Sequence, residues 1–288
     1  MSLARGRTSP SYAAQLMNWL SKILGRQPPP AVDVAGMNVA PERLEALRPD
    51  DQFLVSYPRS GNTWVRHLLR EIILLSRPDL PAPEALWMLI PDLHVHDMDH
   101  PARVRFKMPT RIFKSHNLRA LRGRRMVYIF REPGDALTSY YHFHVRERIE
   151  PEMVAGGPDF FCRTFLPGWC EHLRLALDEH AVAPERLLLV AYEMLLRDGV
   201  RALGRIADFF GLPVDEAGLA TAVEKARFEK LREREAQNPQ HPDEYFFRKG
   251  RPGTGREELS DDTQAAIAAT AQPLYNCACA FAEGGQKS

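Results

Sequence analysis

The chain has 288 residues, with 38 Lys+Arg against 37 Asp+Glu and a formal net charge of +1. Apolar residues make up 44% and charged residues 26%, a globular balance that excludes a disordered tail, a collagen-like repeat and a disulfide scaffold. The even charge speaks against a generic nucleic-acid binder. Four cysteines (Cys162, Cys170, Cys277, Cys279) are too few to staple so long a chain and have no CxxC pairing for zinc. The expectation is free thiols in a reducing, cytoplasmic compartment.

Residues 1–11 read as disordered. Tyr12, Leu16, Trp19, Leu20 and Ile23 then share one helical face, which predicts an amphipathic helix over 13–24. It reads as docked on the domain, with a membrane-surface or partner helix as the alternative. Gln15, Asn18 and Lys22 interrupt it, no cleavage site follows, and no apolar run reaches the roughly 18–20 residues of a membrane span. Pro28, Pro29 and Pro30 end the helix. Residues 1–49 are therefore an N-terminal extension and 50–288 one domain.

From Gln52 the pattern is α/β. Phe53–Tyr57 predicts a buried strand, followed by the turn Pro58-Arg59-Ser60-Gly61 and a helix carrying Trp64, Val65, Leu68, Leu69, Ile72 and Ile73 at helical spacing. Arg111–Lys114 predicts a weaker second strand and Met126–Phe130 a third. A helix opens at Pro133, where the missing N–H costs nothing. Leu187–Val190 predicts a fourth strand. Strands alternating with helices imply one domain with a central, mostly parallel sheet flanked by helices, and ligands beyond the strands' carboxyl ends. Residues 235–256 read as a long loop. The aromatics at 160, 161, 165 and 169 read as core, with a pocket wall as the alternative, and His142 and His144 as packing beside their helix.

Three segments carry chemistry. Ser56–Trp64 is a strand, a glycine turn and a hydroxyl-rich helix start. It is a P-loop-like anion site in which helix N–H groups, Arg59, Ser60 and Thr63 donate, but the Walker GxxxxGK[ST] spacing is absent. Arg131–His142 is a second strand–helix junction, with Arg131 at the strand end and Ser139 in the helix. Two such junctions on neighbouring strands imply a ligand with two anionic groups. Arg248, Lys249 and Arg251 form a cationic lid segment. Residues 101–150 hold 12 Lys+Arg against 4 Asp+Glu, so a neutral chain concentrates positive charge where the ligand edge lies. His94-Val95-His96-Asp97-Met98-Asp99-His100 imitates a metallohydrolase run but is one residue too long; the expectation is no metal and a polar rim of the acceptor pocket.

Together these pieces resemble the cytosolic-type sulfotransferases, which use 3′-phosphoadenosine 5′-phosphosulfate (PAPS). The family's Tyr-Pro-Lys-Ser-Gly-Thr-Thr-Trp loop is similar to Tyr57–Trp64, its Ser-Tyr-Tyr-His-Phe to Ser139–Phe143, its Arg-Lys-Gly-x-x-Gly to Arg248–Gly253, and its Lys-Thr-His to Lys114-Ser115-His116. The resemblance runs over roughly residues 50–260. It implies that Ser60, Gly61, Asn62 and Thr63 hold the 5′-phosphosulfate, and that Trp64 and Phe228 stack on the adenine with Tyr192 at its edge. Arg131, Ser139, Arg248, Lys249 and Gly250 would hold the 3′-phosphate. His116 would be the general base, with an ordinary histidine pKa near neutrality, and Lys114 and Arg59 would stabilise the charge on the sulfuryl group and the leaving phosphate. No metal is needed.

The sequence departs from the family in three places. The loop lysine is Arg59, which clamps bidentately but does not release a proton near neutral pH. A threonine becomes Asn62, and the family's Gly-Asp-Trp-Lys becomes Gly253-Thr254-Gly255-Arg256. No dimer segment matches, so the oligomeric state stays open. The expected function is sulfuryl transfer from PAPS to a hydroxyl or amine of a small-molecule acceptor. A PAPS-binding regulatory module and an ATP-using P-loop kinase remain as alternatives.

Overall fold

Strands β1 (Gln52–Ser56), β2 (Ile112–Ser115), β3 (Arg125–Phe130) and β4 (Leu187–Ala191) form a parallel sheet in the order β2-β1-β3-β4. They belong to a computed structural model that describes residues 38–79, 83, 85–96, 111–237 and 250–284. Phe53, Leu54 and Val55 are fully buried, as expected of a central parallel strand covered on both faces. The four strands sit within a residue of their predicted positions.

Helices cover both faces. Leu54, Val127, Ile129 and Val190 pack on one side with α1 (Asn62–Ser76) and, further along, with Leu203 and Ile206. On the other side Tyr128 meets His172 and Phe130 meets Tyr275. There α2 (Pro133–Glu147) packs on α3 (Gly157–Val182). The strongly amphipathic α5 (Gly199–Phe210) follows α4 (Tyr192–Arg197), and α6 (Glu216–Lys225) packs against both α5 and α1. After α7 (Phe228–Gln237) the described chain resumes at Gly250, with α8 (Thr254–Glu258), α9 (Asp261–Thr270) and α10 (Gln272–Gly284). Among the described residues, no helix is long and apolar enough to cross a membrane.

Two expectations are corrected. The span 235–256 is not all loop: residues 235–237 finish α7 and residues 254–256 begin α8. In α3, Phe161, Phe165 and Trp169 are core, but Phe160 is 50% exposed, because adjacent helical positions point about 100° apart. The predicted N-terminal helix lies outside the described residues.

The strand order matters for the site. β1 lies between β2 and β3, with Val55 beside both Ser115 and Tyr128. The turns leaving β1, β2 and β3 therefore converge at one sheet edge, although they come from sequence positions 57, 116 and 131.

Candidate active site

The turn after β1 has two left-handed residues, Arg59 (φ 64°) and Gly61 (φ 103°). Gly61 is required twice over: its φ disfavours a side chain, and a Cβ there would sit 2.6 Å from the Tyr192 ring. Arg59 tolerates the same region at a cost of order 1 kcal/mol. Its Nε donates to Ser139 Oγ at 3.3 Å, and its guanidinium lies 5.3 Å from the Phe143 ring centre. Arg131 Nη1 donates to the Arg59 carbonyl at 3.4 Å, so the two junctions are stitched together. Burial, then the charges of Arg146 and Arg131, pushes the Arg59 guanidinium down to about 9. It stays charged at neutral pH in a field that an anion would relieve.

The first-turn N–H groups of α1 have no intrahelical acceptor by helix geometry. The Asn62 side chain does not join them: Nδ2 donates to Leu54 O and Ser56 Oγ, both at 3.2 Å. Its amide nitrogen braces the strand end, while Oδ1 stays buried without a partner. Ser60 is fully buried behind the turn and its hydroxyl has no partner. Unlike Thr63, it does not line the cleft.

The β3 junction is capped by Glu132, whose Oε2 accepts from Asp135 N at 2.7 Å, with Pro133 in the first helical turn. Asp135, 1% exposed, accepts from Gly253 N (2.8 Å), Thr254 Oγ1 (3.1 Å) and Gly255 N (2.7 Å). One carboxylate thus clasps the start of α8 to the start of α2. Arg131 is buried, packs 4.5 Å over the Tyr192 ring and keeps Nε without a partner.

At the end of β2, a tautomer chain surrounds His116. Its Nδ1 lies 2.7 Å from Ser56 O; a carbonyl only accepts, so this nitrogen carries the proton and Nε2 keeps the lone pair. The His116 N–H donates to His94 Nε2 (2.9 Å), and the His94 Nδ1–H then faces Asn38 O (3.1 Å). His172 Nε2 donates to the His116 carbonyl (2.8 Å), while its Nδ1 accepts from Tyr128 OH (2.7 Å). Burial, then the neighbouring Lys114 charge, holds the His116 imidazole well below its ordinary range. The expected pKa near neutrality is therefore corrected. Lys114 Nζ pairs with Asp92 Oδ2 at 2.6 Å. Burial works against the Asp92 carboxylate, but Lys114 outweighs it and keeps the pKa down to about 2.

These residues line one cleft of about 290 Å³, whose wall includes Arg59, Trp64, Lys114, His116, Arg131 and Tyr192. Ser139, Phe228 and Gly250 also face it. Trp64 is pinned by Nε1–H to Ala226 O (2.8 Å) and meets Tyr192 edge-on at 5.4 Å. A Cβ on Gly250 would come within 2.3 Å of the Phe228 ring.

The sulfotransferase domain profile matches residues 49–276, which takes in all three strand-end turns. The chain belongs to the sulfotransferase family. It is 27% identical over 237 residues to sulfotransferase 6B1 of Danio rerio, covering 77% of this chain and 78% of that one. It is 29% identical over 251 residues to flavonol 3-sulfotransferase of Flaveria bidentis, covering 77% and 80%. Among solved structures it shares the fold of a mouse sulfotransferase complexed with PAP (TM-score 0.59, 21% identity, 87% and 95% covered). It also shares that of a retinol dehydratase in complex with retinol and PAP (TM-score 0.61, 21% identity, 82% and 86% covered).

Of the expected sulfotransferase residues, the cleft gathers all but Ser60, Arg248 and Lys249; the last two lie outside the described residues. So do Asp97, Asp99 and His100 of the metal-like run. His94 backs His116, and His96 accepts from Asp92 N (3.1 Å) and stacks on Trp87. His142 pairs with Glu258 at 2.5 Å, and His144 is buried among aromatics. Sequence reasoning missed Asp92, Asp135 and His172. Pro133-Gly134-Asp135 held a signal, an acidic residue in a first helical turn, but nothing named its partner 118 residues on. His172 gave no signal at all.

Proposed function

We propose that this sulfotransferase takes the sulfuryl group of PAPS to a hydroxyl or amine of a small-molecule acceptor, with His116 as the general base. The observation that carries the reading is the convergence of two cationic junctions, an aromatic wall and the Lys114–His116 segment in one cleft. Two related folds were solved with PAP, the desulfated form of that nucleotide. The residues fit such a group. Arg59 and Arg131 sit in a cation-rich, buried environment, Arg131 Nε is unpartnered, and Gly61 and Gly250 let the Tyr192 and Phe228 rings pack close against the backbone of the cleft wall.

PAPS, when bound, supplies an activated sulfuryl group on a good phosphate leaving group. The chain's task is then positioning and charge stabilisation, as in phosphoryl transfer. Trp64, Phe228 and Tyr192 would hold the adenine. Arg131, Ser139, Gly250, Arg248 and Lys249 would hold the 3′-phosphate. The α1 amides, with Arg59, Gly61, Asn62 and Thr63, would hold the 5′ end, and Ser60, buried and outside the cleft lining, would act through the turn it occupies. His116 would accept the acceptor's proton at Nε2, the nitrogen its bond to Ser56 O leaves unprotonated. Lys114 would add fixed positive charge near the transferred oxygens, and Arg59 would do so without giving up a proton. A pure binding module needs no such base.

The reading also takes residues 50–288 as one catalytic domain, working in a reducing, cytoplasmic setting that suits its four free cysteines. The deciding experiment is thermal stabilisation by 3′,5′-adenosine bisphosphate against ATP and 5′-AMP. At 100 times its dissociation constant the bisphosphate adds about 2.7 kcal/mol, and the expected shift is specific to it. An equal shift with ATP would favour a kinase instead.

A further inference from the structure

One flank of the cleft is charged in a way that nucleotide binding does not use. Arg66 projects from the second turn of α1 and lines the cleft together with Asp92, Lys114 and His116. It is 9% exposed. Its hydrogen bond in the described structure runs from Nη2 to Ile90 O at 2.7 Å, and Nε is buried without a partner. A guanidinium offers five donors, and the Nε–H of this one is unmet. Asp92 is the nearby carboxylate, but its oxygen is held by Lys114 at 2.6 Å. With His116 neutral, the group of Arg66, Asp92 and Lys114 carries one uncompensated positive charge. Burial pushes the Arg66 guanidinium down to about 10, with the nearby Asp92 charge working the other way. Tyr140 and Phe143 add aromatic surface to the same cleft.

We propose that Arg66 selects the acceptor, and that the acceptor is an aromatic hydroxy-acid or amino-acid type molecule whose carboxylate pairs with Arg66 while its nucleophilic group faces His116. The proposal deepens the sulfotransferase reading and rests on it. A carboxylate there completes the hydrogen bonding of a buried cation, whereas a neutral acceptor leaves that cation unpaired. An aromatic body suits the Tyr140 and Phe143 surface.

The test is equilibrium binding to the PAP-loaded protein of ortho-, meta- and para-hydroxybenzoate, each against its own amide. At least one carboxylate should bind about tenfold or more tighter than its amide, the size expected of one charged hydrogen bond. In Arg66→Gln that preference should fall to near parity while PAP affinity stays within about twofold of wild type. Arg66→Lys keeps the charge and should retain part of the preference, which separates lost charge from lost folding. Equal binding of every acid and amide by wild type overturns the proposal, as does a preference that survives in Arg66→Gln. A large loss of PAP affinity in Arg66→Gln would instead assign Arg66 to the nucleotide. Wild-type protein that does not bind PAP at all would overturn the nucleotide reading itself.

Discussion

At His116 two demands oppose each other. The base must be unprotonated to act, and burial beside Lys114 secures that by lowering its pKa; the same shift makes it a weaker acceptor. Activity is lost as pH falls through the pKa of an essential base, so the acid limb of kcat/KM should lie below about pH 6.5, the value of a free imidazole. A limb centred at or above that value would place the base elsewhere. His116→Ala should lower kcat by about 10²–10⁴-fold with PAP affinity retained, as steady-state kinetics and calorimetry can read separately. Arg131→Ala removes a buried cation that packs on Tyr192 and bonds the Arg59 carbonyl. PAP affinity should fall by about 2–5 kcal/mol, the cost of stripping one partner from a buried charged contact. Unchanged affinity by calorimetry would move the 3′-phosphate site.

Among elements, the contact between α2 and α8 is the most exacting. Asp135 gathers three donors from residues 253–255. Gly134 and Gly255 then meet so closely that a Cβ on Gly255 would lie 2.5 Å from the Gly134 carbonyl carbon. Backbone on both sides cannot yield cheaply. Gly255→Ala should therefore destabilise by about 1–3 kcal/mol, a fall of several degrees in Tm for a chain of this size, and should also weaken PAP because α8 follows Gly250 of the cleft wall. Gly284→Ala, in open space, is the control. Equal Tm for the two variants in a melting experiment would mean that the junction relaxes.

Across the whole molecule, buried neutral histidines make stability depend on pH. His172 is 7% exposed, and burial lowers its pKa from 6.5 to about 4. Between those values the unfolded chain binds the extra proton, so stability is complete above pH 6.5 and declines as pH falls toward 4. The drop attributable to this one group is roughly 3 kcal/mol. Urea unfolding at pH 7 and pH 4.5 should show it, and His172→Gln should lose less stability over the same interval. An identical acid loss in that variant would locate the proton uptake at other groups.

Much of this protein is legible in the chain alone. The apolar runs Phe53–Tyr57, Met126–Phe130 and Leu187–Val190 mark strands because a sheet covered on both faces needs continuous apolar segments, whereas Ile112-Phe113 beside Lys114 marks β2 only weakly. A glycine or proline directly after such a run marks a turn into a helix, and hydroxyls and arginine at that turn mark an anion site. Those signals are local, and they were sufficient for the sheet, the two junctions and the family. The partners of the same residues were not legible, because each is set by packing between segments far apart in sequence. Asn62 turns to its own strand, Asp135 reaches across 118–120 residues, and His94 and His172 close on His116 from 22 and 56 residues away. The depressed pKa of His116 belongs with these, since burial and a neighbouring charge are products of the assembled cleft. The residue types thus announce the chemistry, while tertiary structure alone decides which nitrogen carries the proton and which cation is left for the acceptor.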